Sequence, residues 1–375
     1  MLLKDCATIK SGKRLPKGQT LQKAPNSHPY IRVKDMKSRY VVLNEDFEYV
    51  PEHLFQSIRR YITNTNDIIL SIVGTVGLVS IVDKSLDNAS LTENCVKLIN
   101  IKGYLPEFIY YYLYSEAGQN QIKEGIVGST QPKFPLYNIE KINIPDLSME
   151  VQQHIVDILG TLDEKIENNN KKAEYYEQLM SQYFVLMLAE QNENWEESTL
   201  TKIAIYTNGL AMQKYRPDGE EFLPVIKIKE LSQGIPDSNS EKATPYLDER
   251  FIVDNGDIIF SWSGTLMVKI WCGGKGGLNQ HLFKVTSSRY EPWFIYLWTK
   301  FHLEQFQNIA KGKAVTMGHI KREDLDKSSV YIPSSNAMEK YHSLINPLYK
   351  GIVETQIENL KLNELKQLYL KKFFE

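Results

Sequence analysis

The chain contains the stretch Asp67-Ile68-Ile69-Leu70-Ser71-Ile72-Val73-Gly74-Thr75 and, 190 residues later, Asp257-Ile258-Ile259-Phe260-Ser261-Trp262-Ser263-Gly264-Thr265. Six of the nine positions are identical. The apolar, β-branched run at the start of each stretch predicts a short buried strand, and the glycine after it predicts a turn. The same strand and turn are therefore expected twice in this protein.

Three further blocks repeat in the same order, and their offsets drift by a few residues, as loop insertions would cause. They pair residues 29–35 with 224–230, residues 106–110 with 292–296, and Ile144-Pro145 with Ile332-Pro333. The period is too long for a solenoid of 20–50-residue repeats. The pattern indicates two copies of one domain, each followed by its own tail.

Each half has the same order of predicted elements. Strands around Tyr30–Lys34 and Ile68–Ile72 are followed by a helix that begins at Pro106, and the second half has its helix at Pro292, because proline suits a first helical turn. Glycine-containing turns follow at 125–131 and 311–314, and each half ends with a helix. We expect a mixed α/β (α+β) fold with an internal pseudo-two-fold repeat.

Both tails carry heptad patterns. Apolar and small side chains recur at alternating spacings of four and three, which is typical of a coiled-coil seam. A helix over 161–188, about 42 Å long at 1.5 Å per residue, is predicted for the first tail. Antiparallel packing of the two helices is the simplest arrangement, and the alternative is that each helix packs only on its own domain. The expected seam residues are Leu162, Ile166, Asn169, Ala173, Tyr176, Met180, Tyr183 and Met187, then Leu348, Ile352, Thr355, Asn359, Leu362, Lys366, Tyr369 and Phe373.

Repeats and heptads together give four segments, 1–145, 146–192, 193–333 and 334–375. Their net charges are +4, −6, −1 and +1, so the overall charge of −2 conceals a basic first domain and an acidic first tail. Residues 1–40 hold ten Lys and Arg against Asp5 and Asp35, interleaved with glycine and proline. Such a segment suits a phosphate backbone. A solvated basic loop is the alternative.

Composition excludes several classes of protein. With 375 residues and 42% hydrophobic content the chain is globular rather than disordered. It has no apolar run of about 18 residues, and residues 1–6 do not resemble a secretion signal. Cys6, Cys95 and Cys272 are widely separated, which gives no zinc spacing and no disulfide framework, so we expect a protein of the reducing cytoplasm without a bound metal.

With its repeated blocks and heptad-patterned tails, the chain resembles the specificity subunit of a type I restriction–modification enzyme. The resemblance covers nearly the whole sequence, twice, in the right order. It rests on the two Asp-Ile-Ile-x-Ser-x-x-Gly-Thr blocks, Trp195-Glu196-x-x-x-Leu200, Leu278-Asn279-Gln280-His281, the turn Gly128-Ser129-Thr130-Gln131 and the Ile-Pro exits at 145 and 333. In the first half, Thr92-Glu93-Asn94 replaces Asn279-Gln280-His281.

The resemblance implies a role for each segment. Residues 1–145 and 193–333 would be target-recognition domains, each reading half of a split duplex-DNA sequence. The helices in 146–192 and 334–375 would form an antiparallel coiled coil that spaces the domains and docks two methylation subunits, through which restriction subunits join. This subunit would be non-catalytic, and S-adenosylmethionine, ATP and Mg²⁺ would be bound by its partners.

Two kinds of DNA contact are expected. Cations position a protein on phosphates, whereas matched donors and acceptors read bases. The expected phosphate contacts are Lys13, Arg14, Lys17, Arg32 and Lys34, then Lys214, Arg216, Lys227, Lys229, Lys311, Lys313, Lys321 and Arg322. The candidate base readers, which could equally be structural turn residues, are Gln131, Lys133, Gln280 and His319.

Catalytic interpretations of the sequence have weaker support than DNA recognition. Asp146 with Asp163-Glu164-Lys165 fits a nuclease pattern, but its second part falls on the coiled-coil helix. Asn346-Pro347-Leu348-Tyr349 resembles an amino-methyltransferase motif, but Pro347 is explained by a helix start. The glycine-rich run 272–277 could hold a phosphate or form a hairpin. The tyrosines at 110–112 and 114 could stack on bases or fill the core.

Three competing hypotheses remain open. The chain could serve a related methylation or phage-defence complex, it could be a stand-alone nuclease or methyltransferase, or it could be a scaffold without a nucleic-acid role.

Overall fold

The computed structural model describes residues 1–312 and 318–375. The chain divides into two compact units. Unit 1 consists of Met1–Lys165 with Leu362–Glu375, and unit 2 is Ile166–Lys361. Among the helices of these described ranges, none has the length and apolar character of a membrane-crossing segment.

Unit 1 contains two sheets. Its strands are β1 (Thr8–Ser11), β2 (Pro29–Ile31), β3 (Tyr40–Val41), β4 (Glu48–Tyr49), β5 (Ile68–Ser71), β6 (Val79–Val82), β7 (Ser90–Leu91) and β8 (Cys95–Ile99). The main sheet has the order β1-β8-β5-β6-β3, and the small sheet has the order β4-β2-β7. In the main sheet only β3 pairs in parallel, with β6.

Short helices surround these sheets. They are α1 (Leu3–Cys6), α2 (Glu52–Ile58), α3 (Pro106–Tyr114), α4 (Glu116–Glu124) and α5 (Leu136–Ile139), with 3-10 turns at Val33–Asp35, Arg59–Tyr61 and Lys84–Leu86. Ile68 and Leu70 of β5 pack in one core with α3, and Ile69 packs in another with β2 and β7. Because both faces of the main sheet are covered, all four residues of β5 are buried rather than alternating.

Unit 2 repeats this arrangement. Its strands are β9 (Glu196–Thr199), β10 (Ile205–Asn208), β11 (Leu223–Ile226), β12 (Lys242–Ala243), β13 (Ile252–Val253), β14 (Ile258–Ser261), β15 (Met267–Ile270), β16 (Gly276–Leu278), β17 (Leu282–Thr286) and β18 (Ser329–Ile332). The main sheet β10-β17-β14-β15 matches β1-β8-β5-β6, and the small sheet β12-β11-β16-β13 corresponds to the small sheet of unit 1. The predicted internal repeat is confirmed.

The helices of unit 2 follow the same order. They are α7 (Leu200–Ile203), α8 (Ile228–Gln233), α9 (Pro292–Phe301), α10 (Leu303–Gly312) and α11 (Arg322–Asp326), with 3-10 turns at Met212–Lys214 and Glu249–Phe251. Helices α3 and α9 begin at Pro106 and Pro292, as predicted. Trp293 and Trp298 of α9 are buried to at least 99% and belong to the core that also contains Ile258 and Phe260 of β14. β18 pairs with β9, where unit 1 has a single bridge between Leu2 and Asn143.

The two tails form long helices, α6 (Met149–Ala189) and α12 (Ser335–Phe374). In unit 1, Asp163 contacts Lys366 and His154 contacts Phe373. In unit 2, residue 169 contacts residue 359, and residue 190 contacts residue 340. Within each unit the partner number falls as the α6 number rises, so the helices run antiparallel. The alternative prediction, that each helix packs only on its own domain, is wrong.

Two predicted helix starts need correction. The heptad count placed the first helix over 161–188, but α6 begins at Met149. Pro347 was expected to open the second helix, but α12 begins at Ser335 and Pro347 lies inside it. Proline in a helix interior removes one backbone hydrogen bond, so sequence rules place a boundary there, and tertiary packing overrides them. Tyr341 and Ile345, which precede Pro347, are buried in the core of unit 2.

Candidate nucleic-acid interface

Connecting segments meet at one end of the main sheet of unit 1. Ser71, the last residue of β5, pairs with Cys95, the first residue of β8, and β1 ends beside them. Beyond the sheet, the backbone N–H of Ile72 donates to the carbonyl of Asn94 at 2.8 Å, and the N–H of Phe134 donates to the carbonyl of Ile72 at 2.9 Å. Residues 11–15, 72–75, 92–94 and 127–134 are called the first loop edge.

Unit 2 builds the same junction. Ser261, at the end of β14, pairs with Leu282, the start of β17. The N–H of Trp262 donates to the carbonyl of His281 at 3.4 Å, and the N–H of Ile320 donates to the carbonyl of Trp262 at 3.1 Å. Residues 208–212, 262–265, 279–281 and 318–320 are called the second loop edge.

A glycine closes each loop edge. A Cβ on Gly12 would overlap the carbonyl oxygen of Thr92, and a Cβ on Gly209 would overlap the carbonyl oxygen of Asn279. Only glycine allows this close approach of two backbone segments. The glycine therefore fixes which residues stand side by side, namely 13–14 beside 92–93 in the first edge and 210–211 beside 279–280 in the second.

In the first loop edge, charged side chains stand on both of these neighbouring segments: Lys13 and Arg14 on one, and Glu93 on the other. Nε of Arg14 donates to Oε1 of Glu93, and the Arg14 side chain is 77% exposed. This hydrogen bond raises the pKa of Arg14, so the guanidinium remains charged. The hydroxyl of Thr92 also donates to Glu93, at 3.3 Å. Nζ of Lys13 lies 5.7 Å from the ring centroid of Tyr61, within cation–π range.

The glycine-rich turn of the first half is a small hairpin. Val127 and Lys133 exchange two backbone hydrogen bonds, of 2.8 and 3.0 Å, around an exposed tip. Gly128 has φ +86°, which favours glycine. Lys133 also forms a bridge with Val73, which ties the hairpin to the first loop edge. The two predicted base readers in this segment, Gln131 and Lys133, are both exposed.

An aromatic and polar cluster occupies the second loop edge. Nε1 of the half-buried Trp262 donates to Oδ1 of Asn208 at 3.0 Å. The Trp262 ring centroid lies 6.1 Å from His281 and 6.4 Å from His319. Oγ of Ser263 and Nδ1 of His281 are 2.9 Å apart. The cluster combines a stacking surface with amide and imidazole groups, the chemistry that base recognition uses.

The structure brings two of the predicted base readers of the second half to this edge. Nε2 of Gln280 lies 3.3 Å from Nε2 of His281, and the backbone of Gln280 is held by the carbonyl of Leu210 at 2.9 Å. His319 forms a bridge with Ser263. Lys311 is exposed at the end of α10, and the predicted contact Lys313 lies outside the described residues.

Two predicted phosphate contacts are committed to carboxylates. Arg32 donates to Asp35 at 3.0 Å and also pairs with Glu48, and its side chain is only 14% exposed. At the equivalent place Lys227 pairs with Glu241 at 2.5 Å. Corresponding ion pairs therefore lie beside corresponding strands in the two units, which favours a structural role for these two cations over a phosphate contact.

The remaining predicted cations are exposed. Lys229 donates to Asp237 at 2.7 Å, and this hydrogen bond raises the pKa of Lys229. The others are Lys17, Lys34, Lys214, Arg216, Lys321 and Arg322. They are available to a polyanion without loss of a buried contact.

The residues behind the catalytic interpretations have structural roles. Asp163 is buried, accepts a hydrogen bond from Lys366 at 2.6 Å and another from the Tyr111 hydroxyl at 2.8 Å. Such an enclosed carboxylate has no room for a metal-bound water. Pro347 is inside α12 rather than in a loop beside a cofactor cleft. Across residues 1–312 and 318–375, no group of three His, Cys, Asp or Glu side chains is arranged to hold a metal.

Two further hypotheses do not fit the structure as a whole. The tyrosines at 110–112 are all at least 96% buried, so they fill the core of unit 1 and cannot stack on bases, whereas Tyr114 is 41% exposed and its stacking role stays a prediction. In the glycine-rich run, the N–H of Gly274 donates to Asn255 at 2.8 Å and its carbonyl accepts from Trp271 at 2.7 Å. That run is a folded turn leading into β16, not an open phosphate cradle.

The predicted seam positions of the helices are buried or half-buried. Asn169, Ala173 and Met180 of α6 are at least 93% buried, as are Thr355, Asn359 and Lys366 of α12. The half-buried members are Leu162, Ile166, Tyr176, Tyr183, Leu348, Leu362, Tyr369 and Phe373, while Met187 and Ile352 are buried.

Several residues of the loop edges were not predicted as contacts. Asn208, Trp262 and His281 belong to the second edge, and Glu93 to the first. The sequence did contain a signal for the position of the loop edges. Ser11-Gly12 matches Asn208-Gly209 at an offset of 197, and a glycine that recurs after the first strand of each main sheet indicates a close backbone approach.

Comparison with known proteins agrees with this architecture. The family model described as "Type I restriction modification DNA specificity domain" matches residues 1–176 and again residues 192–367. The type I restriction enzyme MjaIX specificity subunit of Methanocaldococcus jannaschii is 24% identical over 92% of this chain and 85% of its own length.

A solved structure shares the fold. The S subunit of a type I restriction-modification system from M. genitalium superposes with a TM-score of 0.57 at 14% identity, and the match covers 100% of this chain and 95% of that one. Two family matches, a relative along nearly the whole length and a repeated fold agree with one another. The chain therefore belongs to the type I restriction–modification DNA specificity domain family and is a specificity subunit of such a system.

Proposed function

We propose that the first loop edge reads one half of a bipartite duplex-DNA target and that the second loop edge reads the other half. The observation that carries this proposal is the repeated backbone frame with unlike side chains. Gly12 and Gly209 hold the same junction, but Arg14 and Glu93 in the first edge are replaced by Ala211 and Gln280 in the second. A duplicated reader of two different sequences needs a constant frame and variable contacts.

Phosphate contacts would come from the exposed cations around the edges. Such contacts fix the register on the duplex without reading its sequence. The residues we assign to them are Lys13, Lys17, Lys34, Lys214, Arg216, Lys229, Lys311, Lys321 and Arg322, and Lys313 remains a prediction from the sequence alone. Arg32 and Lys227 are left out because corresponding ion pairs, with Glu48 and with Glu241, hold them in both units.

The helices α6 and α12 would set the distance between the half-sites and dock two methylation subunits. Part of α6 in unit 2 supports the docking role, since Tyr175, Val185 and Leu186 are 63%, 64% and 55% exposed. Exposed apolar side chains of this size on one helix are typical of an interface. S-adenosylmethionine, ATP and Mg²⁺ would then be bound by the partners, and restriction subunits would join through the methylation subunits, in the cytoplasm of a bacterium or archaeon.

The chemistry assigned to the partners follows from what this chain supplies. Adenine methylation requires the target base to leave the duplex, and a methylation subunit held near the half-site would flip it. The same specificity subunit could serve a related methylation or phage-defence complex, and the identity of the copurifying subunits would distinguish the two.

The experiment is a genome-wide map of modified adenines in cells with and without this gene, with the methylation partner expressed in both. A split motif that disappears with the gene is expected. Two variants then assign the halves: Gln131→Ala should alter one half of the motif, and Gln280→Ala the other. If the map does not change on deletion while the partner is shown to be active, the proposal is wrong. A scaffold would also leave the map unchanged.

A further inference from the structure

The guanidinium of Arg14 is held on one side only. Its Nε donates to Glu93, and no partner among the described residues contacts its two Nη groups. The planar group therefore presents a free edge with two parallel N–H donors, on a side chain that is 77% exposed. The supporting carboxylate is 28% exposed, so it can also accept a hydrogen bond from outside the protein.

The Arg14–Glu93 ion pair contributes little to the stability of the fold. Ion pairs between exposed side chains contribute little to folding, because water and salt screen them. The repeat supports the same conclusion, because the equivalent positions in unit 2 hold Ala211 and Gln280 on the same backbone frame. The Arg14–Glu93 ion pair is therefore not needed to form a loop edge. It is a difference between the first loop edge and the second.

The order of donors and acceptors matches one base pair. In the major groove a G·C pair presents guanine N7 and O6, two acceptors, followed by the cytosine amino group, a donor. Arg14 and Glu93 present two donors followed by an acceptor. A phosphate is a poorer match, because the Glu93 carboxylate would lie close to the phosphate oxygens and repel them.

We propose that Arg14 reads a guanine in one half-site through its two Nη groups, and that Glu93 positions Arg14 and faces the cytosine of the same pair. The proposal rests on the proposed function above and adds the base pair and the two residues that recognise it. It replaces the phosphate contact that the sequence alone suggested for Arg14.

The test uses the full chain assembled with its methylation partner. Binding is measured to the mapped target and to targets with one base pair changed at each half-site position. Arg14→Ala should weaken binding to the mapped target by roughly 5- to 100-fold and remove discrimination at a single G·C position. Arg14→Lys, which keeps the charge but loses the two-donor edge, should also lose that discrimination. Glu93→Gln should relax the same position while the other half-site is read normally.

Lys17→Ala is the matched control, since it removes an exposed cation three positions along the chain that forms no ion pair with a carboxylate among the residues the structure describes. It should weaken all targets alike. If Arg14→Ala also weakens all targets alike and reduces the salt dependence, Arg14 contacts a phosphate and the proposal is wrong. If a gene-dependent split motif exists but Glu93→Gln and Arg14→Lys leave it unchanged, this inference fails while the proposed function stands. Absence of any gene-dependent motif would instead remove the proposed function.

Discussion

The carboxamide of Asn169 donates a hydrogen bond to Oδ1 of Asn359 at 2.9 Å, within the helix pair of unit 2. Both side chains are at least 95% buried. The network continues on each side, because Asn169 also donates to Glu358 at 2.7 Å and Asn359 donates to Asn170 at 2.8 Å. The buried amides of Asn169 and Asn359 form this hydrogen bond only when the two positions face each other, which favours one register of the helices.

This network predicts a non-additive pair of substitutions. Asn169→Leu alone should destabilise the protein by about 1–3 kcal/mol, because the buried hydrogen bond from Asn169 to Asn359 is lost. Adding Asn359→Leu should recover much of that loss. Asn168→Leu, on the exposed side of α6, is the control and should stay within about 0.5 kcal/mol. Urea unfolding measures the natural chain, both single variants Asn169→Leu and Asn359→Leu, the double variant and the control. A double-variant loss equal to the sum of the two single losses would mean that the two amides are not coupled.

The buried ion pair of unit 1 gives a larger effect. Lys366 donates to Asp163 at 2.6 Å, and both side chains are less than 10% exposed. Lys366→Met should cost about 3–5 kcal/mol because it leaves an uncompensated carboxylate in the interior. Lys371→Met removes an exposed lysine of the same helix and should have little effect. Equal midpoints of urea unfolding for the two variants would contradict the role given to this pair.

Glu177 makes the stability of unit 2 depend on pH. Burial alone would raise its pKa, but hydrogen bonds from Lys300 and Tyr296 outweigh burial and lower the pKa of Glu177. A lowered carboxyl pKa contributes stability that is present above the unfolded value of about 4.3 and is lost as pH falls through the folded value.

Glu177→Gln should therefore destabilise the protein near pH 7, and the difference from the natural chain should shrink below about pH 4. Thermal unfolding between pH 3 and pH 7 measures the difference. Glu174→Gln, an exposed neighbour on α6, should show no such trend. A difference that is constant over this range would exclude the carboxylate as its source.

The two junction glycines should separate the two half-sites. Gly12→Ala forces the first loop edge apart at Thr92, and Gly209→Ala forces the second apart at Asn279. Each variant should lose discrimination in its own half of the DNA motif while the other half is retained, as shown by an adenine-modification map. Gly219→Ala is the control, because open space surrounds a Cβ at that position. Loss of both halves in either variant would indicate global unfolding instead.

Phosphate contacts should appear in the salt dependence of binding. For each contact that is removed, the slope of log K against log salt should fall by about 0.9. Lys17→Ala and Lys34→Ala are expected to do this without changing which sequence is preferred. Lys350→Ala, an exposed lysine on α12, should leave the slope unaltered. An unchanged slope in the two loop variants would remove those residues from the interface.

Much of the fold was predictable from local patterns. Short buried strands such as Ile68–Ser71 and helices opened by Pro106 and Pro292 depend on neighbouring residues, so the sequence alone indicates them. Element boundaries that depend on distant packing were not predictable. The clearest case is α12, which continues through Pro347 because apolar residues on both sides of the proline are held in the core of unit 2.

The candidate site likewise combines features that local sequence predicts with features that depend on distant residues. Exposed basic loops were visible as composition, but the pairing of Arg32 with Glu48 and of Arg14 with Glu93 joins residues 16 and 79 positions apart. A list of cations cannot say which of them are already neutralised by a carboxylate. For that reason the sequence alone did not show the ion pairs of Arg32, and of the cluster around Trp262 it indicated only Gln280 and His319.

By itself, the sequence determined that one domain occurs twice, that each copy ends in a heptad-patterned helix, and that the chain resembles a DNA specificity subunit. Periodicity and repeated blocks carry that information because they reflect local backbone preference and burial. Only the tertiary structure decided which side chains stand together at the loop edges. Strand pairing and the close approach at Gly12 and Gly209 bring distant segments together, and their juxtaposition places Arg14 beside Glu93 and Trp262 beside His281.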